Sequence, residues 1–549
     1  MASQRLLFLT AGAAALTTAW LVAAEPSLPR FLADDPIWRE PPPRSIPSAK
    51  KQVVDALYDF YENSFYATRR AYVESAGSAS EDGVSAAAQN VNTVGGVPDS
   101  PWYVNRHGMH PMTNQELARG PGDSHPPTPD APWKVIAAKQ DGVSPGFLVE
   151  DGKGDRYLLK FDPPDYPELA SAADVIVSKI LYAAGYNTPE NYVVYFPEEQ
   201  LQIDAGSTWK NSRGGREKLT KAVIERMLRH QPKDDQQRYR ALASRFIPGE
   251  ILGPFLYEGL RGDDPNDVVR HQFRRDLRGL RVFAAWTNHT DAKSINTLDS
   301  FVQEGGRSFI RHYLIDFGSS LGSDSLRPKD PRLGHEYFLE TKPAGMQIIT
   351  LGLYVPLWAR ADAPKYTGVG QFEAESFVPQ EWKPNYPNPA FLMMDQDDAF
   401  WAAKQVARFD DDQIRAMVAT GQYTDPRAAD WVTKTLIERR DKIADAYLTL
   451  PIDAFRVENG ELKFDSLLPA RPVRPENCQI RWSTYDNVAR SSKALTGSFG
   501  WSSAEAFAAS GGAGFLEAQI DCPPQTPSVS VFLRRRGDAG EVAGVERRW

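Results

Sequence analysis

Tyr157-Leu158-Leu159-Lys160-Phe161 sets a lysine inside an otherwise apolar strand. An ammonium taken out of water needs an anionic partner or a bound phosphate. A fold that buries this strand must therefore bring one of them to Lys160. The other reading is an edge strand with its lysine in water. Two apolar runs precede it, Trp133–Ala138 and Gly146–Val149, with turns at Asp141-Gly142 and Asp151–Asp155, so three consecutive strands are expected. A helix follows. Pro167 suits its first turn, Leu169, Ala173, Ile176, Ile180 and Ala184 form its apolar face, and Gly185 ends it.

Beyond this unit the pattern predicts a strand at Asn191–Phe196, a charged amphipathic helix at Arg216–His230, and strand and turn over Ala241–Glu258. It then predicts a helix at Asp276–Asn288, a strand at Phe309–Ile315 and mostly helix over Asp397–Leu448. After Pro451 the helices stop, and Phe455–Trp549, with short apolar runs such as Ser528–Leu533, reads as a small β domain. Upstream, Ala49–Ala76 has helical periodicity with Val54, Leu57, Tyr58 and Tyr61 on one stripe. Gly77–Asp130 is rich in Gly, Ser and Pro. Residues 25–130 thus form an arm, a candidate cover for a neighbouring cleft.

A chain of 549 residues suggests three to four domains at ~150 residues each. Apolar residues make up 42%, enough for large cores and against disorder of the bulk. The net charge of −8 excludes a nucleic-acid binder driven by whole-chain positive charge. Cys478 and Cys522 are the only cysteines, which excludes metal sites built on several thiolates. Met1–Arg5 is basic, Leu6–Ala24 is apolar, and Val22-Ala23-Ala24 supplies small residues where a signal peptidase reads them. Residues 1–24 are therefore expected to export the chain to the periplasm or beyond, with an uncleaved anchor as the alternative. In an oxidising compartment Cys478 and Cys522 could pair.

Two motifs are set aside. Gly142-Val143-Ser144-Pro145-Gly146 fits the hydrolase elbow, but the oxyanion donor there is the N–H after the serine, and Pro145 has none. His107 and His110 have no evident third ligand and read as surface histidines.

Four pieces that carry chemistry occur in order. Asp141–Gly146 is a small-residue turn whose N–H groups, with Gly142, Ser144 and Gly146, could approach phosphates; an ordinary hairpin is the other reading. Lys160 is the second. The third is Asp291-Ala292-Lys293-Ser294-Ile295-Asn296, directly after an apolar helix. A base or orienting carboxylate (Asp291), a phosphate-neutralising lysine (Lys293) and a metal-binding amide (Asn296) fit this one loop; a polar helix cap is the plainer reading. The fourth is His312-Tyr313-Leu314-Ile315-Asp316-Phe317-Gly318, an apolar strand delivering an aspartate that can hold Mg²⁺ against phosphates. Together they are the kit that phosphoryl transfer needs.

Over about Trp133–Leu448 the chain resembles the protein-kinase-like superfamily, in the atypical branch with HipA-like kinases and CotH-like secreted kinases. Asn288–Asn296 is similar to their N-x-x-D…N loop, with Asp291 and Asn296 five residues apart. The resemblance implies Lys160 on the ATP phosphates, Asp291 as catalytic aspartate, Asn296 and Asp316 on Mg²⁺, and Lys293 near the transferred phosphate. The helix glutamate such a lysine usually meets is replaced: Asp174 is favoured as its partner and Glu168 is the other candidate. Roughly 240° around the helix separates these two, so they cannot serve one face. His289 and Thr290 stand in place of an H-R. The implied fold is α+β and two-lobed, with a signal peptide at 1–24, an arm at 25–130, an N-lobe at 131–258, a C-lobe at 259–450 and a small all-β domain at 455–549. The implied activity is transfer of the ATP γ-phosphoryl group to a hydroxyl of a protein, sugar or lipid head group. An exported pseudokinase that binds without turnover is the second expectation, and adenylyl transfer the third. The C-terminal domain reads as a surface- or partner-binding module.

Overall fold

Alternation along β1 (Trp133–Lys139), β2 (Gly146–Glu150) and β3 (Arg156–Lys160) decides where Lys160 points. Tyr157 and Leu159 are buried with Trp133, Val135, Phe147 and Val149 in one apolar layer, so the period of two turns Lys160 to the opposite face. The structure, a computed structural model, describes residues 28–71, 87–122, 125–139, 146–210, 215–340, 342–351, 353, 355–524 and 527–549. The expected signal segment 1–24 and the turn residues Gly142 and Ser144 lie outside the described residues.

β4 (Asn191–Phe196), β5 (Leu201–Lys210), β6 (Arg216–Lys218) and β7 (Tyr239–Arg245) complete a seven-stranded sheet in the order β4-β7-β3-β2-β1-β5-β6. The β1–β5 pair is parallel. The helix Lys221–Leu228 closes the apolar face through Val223, Ile224 and Leu228. The helix expected over Arg216–His230 is shorter than its charge pattern suggests. Arg216–Lys218 pairs with β5, and the Leu219 N–H donates to Ser207 O, which holds this stretch extended. The long helix Leu169–Ala184 packs on the other side, against β4 and β7.

A second lobe is built on the helices Arg275–Thr287, Gln396–Val406 and Pro426–Tyr447, with Leu277, Phe283, Trp286, Phe400, Val432 and Leu436 in its core. Gly279 permits the crossing, since a Cβ there would lie 2.6 Å from the Trp401 ring. β8 (Glu250–Gly253), β9 (Thr297–Glu304) and β10 (Arg307–Leu314) form a three-stranded sheet in the order β10-β9-β8. β8 thus lies before the expected lobe boundary at 258 yet pairs with β9, because Glu250 and Ile251 take Phe301 and Ser300 as partners.

The C-terminal region is a β domain. β11 (Ile452–Glu458) and β12 (Glu461–Ser466) form a hairpin. β13 (Gln479–Asp486), β14 (Ser491–Ala494), β15 (Phe515–Asp521), β16 (Ser528–Arg534) and β17 (Glu541–Arg548) form an antiparallel sheet in the order β14-β13-β15-β16-β17. One short helix, Ser503–Ala509, lies among them. Cys478 and Cys522 are disulfide-bonded. The chain is α+β, with an N-terminal extension, two lobes and a C-terminal β region.

The described parts of the arm pack against the β domain and both lobes. Phe31 inserts among Tyr485, Phe515 and Phe532 of the β domain. Ile46 N–H donates to Ser308 O, Gln52 N–H to Leu252 O, and Trp102 stacks on His312 at 3.5 Å between ring centroids. Tyr103 is buried and donates to Ala184 O at 2.7 Å. The helix expected over Ala49–Ala76 is confined at its start to Ala56–Glu62, capped by Asp55, and runs on through a wider turn at Asn63–Ala67. Its expected apolar stripe is reversed: Leu57, Tyr58 and Tyr61 face water, whereas Asp59, Asn63 and Ala67 are buried. The polar side has partners inside the protein, described below, and these outweigh the burial of the stripe.

Phe31 is 4% exposed and touches three aromatic rings of the β domain. Phe31→Ala is expected to lower stability by about 3 kcal/mol, measured by urea unfolding of the full chain.

Candidate active site

Lys160 sits between two carboxylates. Its Nζ lies 2.9 Å from Asp316 Oδ1 and 3.8 Å from Asp174 Oδ2. Burial alone would lower the ammonium, but Asp316 and Asp174 outweigh it and raise the Lys160 pKa, so the group stays charged. Asp174 projects from the helix Leu169–Ala184, is almost wholly buried, and accepts from Asn191 Nδ2 at 2.6 Å and from the N–H groups of Phe317 and Gly318. Burial pushes its carboxyl above the usual range, and Lys160 pulls it back. The shorter aspartate therefore reaches the lysine. Glu168 does not: it accepts from Thr424 N–H at 3.1 Å, outside this cluster.

The helix start is fixed by a residue the sequence reading missed. Asp162 accepts from the N–H groups of Glu168, Ala170 and Ser171 and from Ser171 Oγ. It is a cap delivered from outside the helix, two residues after Lys160. Gly146, expected to approach phosphate, has a packing reason to be glycine. It faces Lys160 across β2–β3, and a Cβ would lie 2.4 Å from Leu159 O.

The second cluster starts where the helix Arg275–Thr287 ends on Asn288, whose φ of 51° is left-handed. Asp291 is then held on several sides. Asn296 Nδ2 donates to its backbone O at 2.8 Å and to Oδ2 at 2.9 Å, Asn385 Nδ2 donates to Oδ1 at 3.1 Å, and Lys293 Nζ lies 2.8 Å from Oδ1. The Ile315 N–H donates to Asn296 O at 3.0 Å, which sets Asn296 beside the residue preceding Asp316. Asp316 itself has a left-handed φ of 63°. So Asp291, Lys293, Asn296 and Asp316 come together, with Lys160 and Asp174 joined to them through Asp316.

A hard divalent cation fits this donor set. Asn296 spends its N–H groups on Asp291, so its Oδ1 is the atom left for a ligand, and Asp316 supplies a carboxylate; phosphate oxygens and water complete such a shell. Among the described residues no group of three His, Cys, Asp or Glu forms a fully protein-built metal cage. Cavities of about 800 Å³ beside Trp431 and about 950 Å³ beside Arg440 include none of these residues.

His289 and Lys329 also support the site. His289 sits edge-on to Phe317, 5.7 Å between ring centroids, and its Nδ1 is 3.0 Å from Ser320 Oγ. Burial lowers its pKa to about 4, so the ring is neutral. Lys329 donates to Asn288 O and to Ser319 O, both at 2.7 Å, and ties the two loops together. Asp59, Asn385 and Lys329 come from distant segments, and no local motif marks them.

No family model and no curated protein matches the chain. Among solved structures the chain is similar to the Helicobacter pylori proinflammatory kinase CtkA, at 12% identity and a TM-score of 0.30, over 57% of this chain and 98% of that one. It is also similar to a Golgi casein kinase with Mn and ADP bound, at 9% identity and a TM-score of 0.27, over 58% of this chain and 72% of that one. A further Golgi casein kinase structure is similar at 8% identity and a TM-score of 0.28, over 74% and 96%.

Burial lowers the Lys329 pKa from 10.5 to about 7. Between these values the unfolded chain holds the proton and the folded one does not, so stability rises with pH. Relative to Lys329→Met, the wild type is expected to gain up to about 1.4 kcal/mol per pH unit above pH 7, measured from urea midpoints at pH 7, 8 and 9.

Proposed function

We propose that the protein is an exported phosphotransferase of the HipA-like and CotH-like kind, which uses Mg²⁺-ATP to phosphorylate a hydroxyl group. The observation that carries this reading is Lys160, at 2.9 Å from Asp316 and 3.8 Å from Asp174, beside a loop in which Asn296 grips Asp291. Asp316 and Asn296 Oδ1 would hold Mg²⁺, which when bound neutralises charge on the phosphates. Lys160, kept charged by its two carboxylates, binds the nucleotide phosphates. Asp291, oriented by Asn296 and Asn385, accepts or directs the proton of the acceptor hydroxyl. Lys293 adds positive charge where the phosphoryl group passes. The acceptor belongs to a protein, a sugar or a lipid head group. The Cys478–Cys522 disulfide supports an oxidising compartment.

One observation favours the non-catalytic alternative. Lys160 lies nearer to Asp316 than to Asp174, and a pair that never opened would leave a binding protein without turnover.

Thermal unfolding separates the two. Mg²⁺-ATP at 100 times its dissociation constant is expected to stabilise the wild type by ~2.7 kcal/mol, and Asp316→Ala to abolish the shift. Asp291→Ala is expected to keep the shift and lose transfer. A transferred phosphoryl group adds ~80 Da to the acceptor, against ~329 Da for adenylyl transfer, which intact-mass measurement resolves. A shift without any γ-phosphate loss would favour the binding protein.

A further inference from the structure

Asp59 lies on the buried side of the arm helix, 6% exposed. Its Oδ1 accepts from Ser294 Oγ at 3.0 Å and from Asn63 Nδ2 at 3.0 Å, and its Oδ2 accepts from Tyr386 Oη at 2.6 Å. Ser294 lies between Lys293 and Asn296 in the loop that carries Asp291. Tyr386 follows Asn385, whose Nδ2 donates to Asp291 and whose N–H donates to Thr290 O at 2.8 Å. One carboxylate from the arm therefore grips the loop twice: directly at Ser294, and through the Tyr386-Asn385 wall on the far side of Asp291.

The chemistry of this contact is unusual for mere packing. No described Lys or Arg forms an ion pair with Asp59; its three donors are a serine, an amide and a phenol. Burying a carboxylate on neutral donors costs several kcal/mol more than burying an apolar side chain of the same size. What the carboxylate adds is direction, because its two oxygens fix three donors at once. The helix that bears it shows the same priority. It leaves Leu57 and Tyr58 63% and 67% exposed, and seats itself through Asp59 and through Phe60, which meets the Tyr386 ring edge-on at 5.4 Å.

We propose that Asp59 is a positioning residue for the Asp291–Asn296 loop, so that the N-terminal arm is a working part of the phosphoryl-transfer site. The proposal rests on the function proposed above, and its test is built so that the two fail separately. The full chain is prepared as wild type, Asp59→Ala, Asp59→Asn, Tyr386→Phe, the Asp59→Ala/Tyr386→Phe double variant, and Leu57→Ser as a control on the exposed side of the same helix. Two readouts are taken. The first is release or self-transfer of γ-phosphate from Mg²⁺-ATP. Asp59→Ala is expected to lower kcat about 10–100-fold with KM for ATP within about twofold of wild type, because the ATP-binding residues are untouched. Asp59→Asn, which keeps one acceptor oxygen, is expected to fall between, the double variant to lose no more than Asp59→Ala, and Leu57→Ser to match wild type. The second readout is amide hydrogen exchange. Asp59→Ala is expected to speed exchange at 290–296 by at least tenfold and leave 169–184 unchanged. Unchanged loop exchange overturns the proposal. So does exchange that rises across the whole chain, since Asp59 would then hold the fold and not the loop. Equal falls in ATP binding and kcat overturn it as well. If the wild type neither binds nor turns over Mg²⁺-ATP, the proposed function has failed, and the loop exchange alone decides the role of Asp59.

Discussion

Lys160 is the hinge of the molecule's design, because its ammonium is charged, four-fifths buried, and satisfied only if three distant segments converge. β3 must present it on the face away from the apolar layer. The helix Leu169–Ala184 must start in the right register to aim Asp174, which Asp162 secures by capping it from just beyond β3. The strand β10 must end where Asp316 turns into its left-handed conformation. Removing either carboxylate leaves a buried charge poorly compensated, which costs more than the pair itself contributes. The two lobes therefore meet at a point set by electrostatics. The apolar core backs this junction, since Ala172, Ile176 and Ile180 of the same helix lie in one buried cluster with Phe283, Trp286 and Phe317.

Much of this was legible from local pattern. Asn191–Phe196 was read to the residue, and the three strands and the helix after them fall within a residue or two of their expected bounds, because alternation, turn chemistry and a glycine stop all agreed there. Helix geometry shows that Asp174 and Glu168 cannot serve one face, and the place of Glu168 beside Pro167 at the helix start favours Asp174. β5 was not seen, because its partner is β1, in parallel and far back in the chain, and its own run of Asp204, Ala205 and Gly206 interrupts the alternation. The arm helix was read with the wrong face inward. Periodicity reports which side chains are apolar, but not whether a carboxylate such as Asp59 has donors waiting inside. Asn385, Tyr386 and Lys329 were invisible for the same reason: their meaning lies in tertiary partners.

The Asp291 loop shows how polar contacts do the work that motifs only hint at. The helix Arg275–Thr287 leaves its last carbonyls unsatisfied, as every helix must. Arg439, from the helix Pro426–Tyr447, takes two of them, with Nε donating to Trp286 O at 3.0 Å and Nη2 to Ala285 O at 2.5 Å. Asn288 and His289 return their N–H groups to Ala285 O and Ala284 O. The chain thus leaves the helix along one path. Lys329 and Asn385 then take over on either side of the loop. Such a chain of buried hydrogen bonds strengthens its members, although Thr290 Oγ and Asn385 Oδ1 find no partner within it.

The arm extends this logic across the whole protein. Its first described segment docks on the C-terminal sheet through Phe31, and Thr93 exchanges hydrogen bonds with Ala543 O and Val545 N–H of β17. Its middle reaches the Asp291 loop through Asp59, and its end supports the helix behind Asp174, where Lys179 donates to Ala118 O at 2.6 Å. The β domain is joined to the helical lobe separately, by Lys404 donating to Asp453 and by Arg547 over the Phe400 ring. A belt fastened at the two ends and at the centre makes the loop's geometry depend on contacts far from it. Distant fastening of this kind acts through stiffness: each contact removes freedom from a segment that the next contact then holds at lower entropic cost. The long Pro-rich extension is therefore best understood as the frame in which the site is held.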